Sequence, residues 1–278
     1  MIITGNAYLV LEFACVMNSK VLEVLRHIIK SIHSDIQVAT SNGTFEVATG
    51  DGTLVKTIST CLTNAVLDIL FGKDEYGTVH PEGTVFGKYN VKIRDFHFVF
   101  EEMQVRMSVY FTRKVFKDPI LMARPNIQDW RSFVESHPVS MPDNELIEFI
   151  DPGTGQNGPD VVFEQNGIIR GDSLKVLELG IRMHEKAKVI VNNLVNSDLN
   201  TRNIMTNTWL HQAVVDLDGH IGRWSTVFEL LKTAVHNYIL LLPEYTNNNL
   251  LRVLNQCNAD PDLWSDMIRR HIQNASKG

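Results

Sequence analysis

No run of about 18 consecutive apolar residues, the least a membrane-crossing helix needs, occurs anywhere in this 278-residue chain. The most apolar stretch, Ala7 to Met17, is shorter, contains Glu12 and follows no basic segment, so neither a span nor a secretory leader is expected. Cysteine is scarce too. Cys15, Cys61 and Cys257 are odd in number and widely spaced in apolar surroundings, which argues against a disulfide framework and for buried free thiols in the reducing cytosol. Positive charge is not in excess either: 26 Lys and Arg stand against 32 Asp and Glu, for a net charge of −6. Bulk electrostatics therefore does not attract nucleic acid, and such a partner would need a local patch.

The strong catalytic signatures are missing as well. The phosphate-binding loop, the zinc-protease helix, paired CxxC ligands and the hydrolase nucleophile elbow are all absent. Gly153-Thr154-Gly155-Gln156-Asn157-Gly158 has the letters of a dinucleotide-binding turn, but Pro159 and a short strand pattern follow it. A pyrophosphate site needs a helix N-terminus at that point, so the segment is expected to be a loop. No cofactor and no enzymatic activity are expected.

What is present is a globular composition, 44% hydrophobic and 21% charged. Its most regular part is the helical pattern from Asp172 onward. Asp172 and Ser173 are N-cap types, and Leu174, Leu177, Ile181, Ala187, Ile190 and Leu194 recur at helical spacing. Turn formers at Ser197 to Asn200 separate a second helix, carrying Leu210, Ala213 and Val214 and closed by Gly219. A third runs from near Ser225 to Pro243, a fourth follows Asn247 to Asn249, and Asp260-Pro261 opens a fifth. Five such helices with short connections describe a bundle.

The first part reads differently. A helix with Val21, Leu22, Leu25, Ile28 and Ile29 on one stripe is expected to begin at Asn18 or Ser19. Strands are expected over Ile36 to Thr40, Thr44 to Ala48 and Leu54 to Ile58, then a helix capped by Thr57 or Ser59 and ended by Gly72. Alternation through Tyr89, Val91 and Ile93, a phase switch to Phe96, Phe98 and Phe100, and a return through Met103, Val105, Met107, Val109 and Phe111 suggest an antiparallel pair. From Arg113 to Pro159 prolines punctuate the chain, leaving room for short helices at Asp129 to Ser136 and Asp143 to Ile150. A small hairpin, Val161 to Phe163 and Ile168 to Arg170, turns at Gln165-Asn166-Gly167.

The expected fold class is α+β: an N-terminal mixed region of helices and antiparallel strands over residues 1–116, a proline-punctuated connector with a hairpin over 117–171, and a mainly α-helical bundle over 172–278.

Two clusters are chemical candidates. Arg106, Arg113, Lys114, Lys117, Arg124 and Arg131 stand against only Asp118 and Asp129, with Tyr110, Phe111, Phe116 and Trp130 interleaved. Cations neutralise phosphates and aromatic faces stack on unpaired bases, so this composition suits single-stranded nucleic acid. A solvated strand edge gives the same letters. The other cluster, His211, Asp216, Asp218 and His220, is expected to be the polar end of a helix, with a metal or hydrolytic site as its rival.

The leading expectation is a self-assembling structural protein that forms homo-oligomers, most specifically a viral or phage coat, capsid or nucleocapsid subunit. It would be found in the cytoplasm or in a virion. The alternatives are a nucleic-acid-binding protein that builds no shell, and an enzyme of unfamiliar type using the His/Asp cluster.

Overall fold

The computed structural model describes residues 1–41, 52–71, 92–93, 95–111, 114–126, 128, 132, 146–153, 160–217 and 223–275. The architecture is α+β, a small sheet with helices followed by a helical C-terminal region. The chain divides into two compact units, Met1–Leu177 and Glu178–Gly278.

The first unit is built on β1 (Ile2–Asn6), which runs directly into the long helix α1 (Ala7–Ser41). After α2 (Gly52–Phe71) and β2 (Lys92–Ile93) come α3 (Phe96–Val109) and α4 (Lys114–Met122). Three strands then follow: β3 (Leu146–Ile150), β4 (Val162–Phe163) and β5 (Ile168–Asp172). The sheet order is β2-β3-β1-β5-β4. β1 is central and antiparallel to both neighbours, with Ile3 opposite Phe149 on one side and Gly171 on the other. β2 lies parallel to β3, and β4 closes the expected hairpin against β5.

Strand alternation makes one face of this sheet core. Ile3, Ile147, Phe149, Phe163 and Ile169 are all buried on it, and Phe13 of α1 meets Phe149 edge-on with ring centroids 6.2 Å apart. Two glycines share that face because nothing larger fits. A Cβ on Gly5 would come within 2.9 Å of the Leu146 carbonyl oxygen, and one on Gly171 within 2.8 Å of the Val161 Cα. Leu146, Glu148, Ile150 and Arg170, on the opposite face, are half-buried or exposed.

α1 does not start at Asn18 but at Ala7, capped by Asn6, whose Oδ1 accepts the Tyr8 and Leu9 N–H at 3.0 and 3.3 Å. Its buried stripe, Val10, Ala14, Met17, Val21, Val24 and Ile28, passes through Asn18-Ser19 without a break. Ile36 to Thr40 is helical rather than a strand, and Thr44 to Ala48 lies outside the described residues. Leu54 to Ile58 is the start of α2, whose buried Ile58, Leu62, Ala65, Val66 and Ile69 keep helical spacing.

The alternating stretch from Phe96 onward is α3, not two strands. Its buried residues Phe96, Val99, Phe100, Met103 and Met107 follow a spacing of three and four, and this period wins over the period of two that the same letters also satisfy. In place of the short helix expected at Asp143 to Ile150, Leu146–Ile150 is β3 with Ile147 and Phe149 turned inward. Pro119 lies inside α4 instead of interrupting the chain there. The short helix expected at Asp129 to Ser136 falls largely outside the described residues.

In the second part the expected helices appear as α5 (Ser173–Asn196), α6 (Leu199–Asp216), α7 (Trp224–Leu240), α8 (Glu244–Asn255) and α9 (Pro261–Ala275). The division between units falls within α5. Asp198 caps α6, its Oδ1 accepting the Thr201 N–H at 2.8 Å. Asp260 caps α9 through the N–H groups of Asp262 and Leu263 at 3.0 and 3.1 Å. α8 begins at Glu244, directly after Pro243 and ahead of the expected asparagines. Leu210, Val214, Phe228, Leu231, Val235, Leu250, Leu254 and Trp264 make this unit's core.

Candidate functional site

The basic segment is held by its own fold more than its letters suggest. Arg106, in the last turn of α3, is half-buried, and its charge acts on Glu102 one turn earlier. Arg124 is exposed, but its Nη1 donates to the Leu121 and Ala123 carbonyls at 3.0 and 2.8 Å, closing the end of α4. Lys117, on α4, is half-buried and makes no hydrogen bond or ion pair with a described residue. Lys114 is on α4 with its side chain outside the description, and Arg113, Trp130 and Arg131 lie outside the described residues. Of the aromatics, Tyr110 is half-exposed and donates its O–H to Asn18 Oδ1 at 3.1 Å.

The non-helical run Ala123 to Asn126 is strapped onto α2. Ser59 Oγ accepts the Arg124 N–H at 3.0 Å and Thr63 Oγ1 accepts the Asn126 N–H at 3.2 Å. Each hydroxyl donates in turn to the carbonyl four residues back, Val55 and Ser59. The spacing explains the fit: four helical residues rise about 6 Å and two extended residues cover about 6.6 Å. Pro125, between the two donors, has no N–H of its own and biases Arg124 away from helix. From the other side buried Gln104 of α3 donates its Nε2 to the Ile120 and Ala123 carbonyls at 2.6 and 2.9 Å.

The His/Asp cluster is not assembled as a site among its described members. His211 has no exposed surface and packs between Phe228 and Trp264, at ring distances of 4.8 and 5.1 Å. Its Nδ1 is 2.7 Å from the Asn207 carbonyl oxygen and its Nε2 is 2.8 Å from the Asp260 backbone nitrogen. Burial pushes its pKa below the ordinary value. Asp216 instead pairs with Lys186 at 2.7 Å and accepts from Gln212 at 2.8 Å. Together with Arg182, Glu185, Val189 and Leu217, Asp216 and Lys186 line an open groove of about 520 Å³. Asp218 and His220 lie outside the described residues, and no group of three potential metal ligands occurs among those described.

Two polar arrangements escaped the sequence reading. Glu102 of α3 is 3% exposed and accepts a short hydrogen bond from Ser173 Oγ, while its Oε2 has no hydrogen-bond partner among the described residues. Burial raises its pKa, and the Ser173 hydrogen bond, the Met1 ammonium and Arg106 oppose that shift. In the second unit buried His184 shares a 3.1 Å hydrogen bond with the Tyr238 hydroxyl, and Lys188 Nζ stands 5.5 Å from the centre of that ring. A Glu and a Ser 71 residues apart, or a His and a Tyr 54 apart, carry no local spacing signal.

Cys15 and Cys61 are half-buried and Cys257 is buried, all three as free thiols. Burial raises the pKa of Cys61 and Cys257, which keeps both protonated. No described helix is long and apolar enough to cross a membrane. No protein-family model matches this chain, and neither does any curated protein or solved structure.

Proposed function

We propose that the chain is a self-associating structural protein, with a coat, shell or nucleocapsid subunit as the most specific form of that reading. What supports it is the apolar surface left on the helices of the second unit: Ile204 is 74% exposed, Leu241 73% and Leu199 56%. Single exposed apolar residues are ordinary. Here Leu240 and Leu241 are consecutive at the end of α7, and Leu199, Ile204 and Met205 fall within the first two turns of α6. Fully burying one Leu or Ile is worth about 1.5–3 kcal/mol, so a symmetric contact hiding these side chains gains enough to hold copies together.

Light scattering on the chromatographed full chain tests the reading, with nucleic-acid absorbance recorded across each peak. Wild type is expected to run as a multi-chain species and Ile204→Lys with Leu241→Lys as a monomer of unchanged helicity. A wild-type monomer at every concentration overturns the proposal. Nucleic acid co-eluting with the assembly and lost in salt adds the basic segment around Lys117 as its contact.

A further inference from the structure

His211 is placed to work as more than core. A carbonyl only accepts and a backbone N–H only donates, so the Asn207 oxygen fixes the proton on Nδ1 and the Asp260 N–H fixes a lone pair on Nε2. The ring is therefore neutral, in one tautomer, with one nitrogen left to protonate. A proton on Nε2 would face the Asp260 N–H, donor against donor. That hydrogen bond ties α6 to the residue that caps α9.

Helices α7, α8 and α9 pack against or beside α6, and of their charged groups Asp260, at the head of α9, acts on the ring and favours its protonated form. The Asp260 carboxylate is already engaged, its Oδ1 holding the first turn of α9. A protonated ring drawing on that carboxylate would compete with the cap. Lys232 of α7 grips the same linker at a second point, its Nζ 2.5 Å from the Cys257 carbonyl oxygen. From α7 and α9 the ring otherwise meets Phe228 and Trp264, whose surroundings disfavour a buried charge.

We infer that protonation of His211 at Nε2 is an acid-triggered release, which frees the head of α9 from α6 and uncovers the Trp264 and Met267 side chains while Lys232 keeps its hold on the linker. The device is independent of the assembly reading. The direction of the His211 pKa sets its window. The folded value is depressed, so the contribution to stability is complete above the ordinary value of 6.5 and is lost as pH falls through the folded one.

Amide exchange on the full chain, corrected for intrinsic rates between about pH 8 and 5, is the test. The amides of Asp260, Leu263 and Trp264 are expected to lose protection by about tenfold per pH unit within the window, while those of Leu231 and Val235 keep theirs. In His211→Gln, whose side chain offers a donor and an acceptor without titrating, protection at α9 is expected to be independent of pH. Unchanged wild-type protection, or the same loss in the variant, overturns the inference. Should the variant not fold, imidazole nitrogen resonances of wild type decide instead. They must show the Nδ1–H tautomer at neutral pH and a protonation midpoint that coincides with the loss of protection, and separate midpoints overturn the inference.

Discussion

At the scale of single residues, Glu102 and His211 are both buried and titratable, and burial moves them in opposite senses because each resists its charged form. For Glu102 the folded pKa lies above the ordinary 4.5, so the folded state holds the proton more tightly than the unfolded chain. Its contribution is therefore complete below 4.5 and is lost as pH rises through the folded value. Glu102→Gln removes the titration and keeps an oxygen to accept from Ser173. Urea unfolding of the two proteins at mildly acid and mildly alkaline pH should show the stability of wild type relative to the variant falling towards alkali. Equal slopes would mean that Glu102 is not the group responsible.

Among the elements, the strap between Ala123 and Asn126 shows how a helix can hold a loop through side-chain hydroxyls. Ser59 and Thr63 supply two acceptors four residues apart, matched to two donors two residues apart. Replacing both with Ala strands those N–H groups and also removes two bonds to α2 carbonyls that weaken a helix slightly, so the net loss should be about 1 kcal/mol. Exchange at the Arg124 and Asn126 amides should accelerate well beyond that of the α2 interior. Unchanged exchange would show that Gln104 alone holds the segment. The sequence does not reveal this arrangement: Thr57 or Ser59 has the letters of a helix cap, because a hydroxyl bonded to the turn behind it and one bonded to the turn ahead look alike.

The same comparison explains which elements were legible. Helices α6 and α9 carry their caps locally, at Asp198 and at Asp260-Pro261, so residue type and period agreed. In α3 the letters satisfy two periods at once, and tertiary burial of Val99, Phe100, Met103 and Met107 decides between them. β3 is short and gains its identity from pairing with β1, a contact about 145 residues distant in sequence that no local window contains. The basic segment was visible as composition. That Arg124 closes a helix end and Arg106 acts on Glu102 was not, since both depend on partners set by folding.

For the whole molecule, the two units carry opposite responses to pH, and the tryptophans allow them to be observed separately. Trp209, Trp224 and Trp264 all belong to the second unit, and Trp130 is the remaining one in the chain. In Trp130→Phe, fluorescence therefore reports on the second unit alone, whereas far-ultraviolet circular dichroism sums helices from both. In acid the protonation of His211 weakens the second unit while protonated Glu102 suits the first, so the fluorescence midpoint in urea should move down relative to the dichroism midpoint as pH falls. Towards alkali His211 is neutral and burial penalises the charged form of Glu102, so the fluorescence midpoint should move up relative to the dichroism midpoint. Midpoints that coincide at every pH would show instead that the units unfold as one cooperative body. In that case a proton taken up at His211 would destabilise the sheet as much as α9, whose capping residue Asp260 the ring holds.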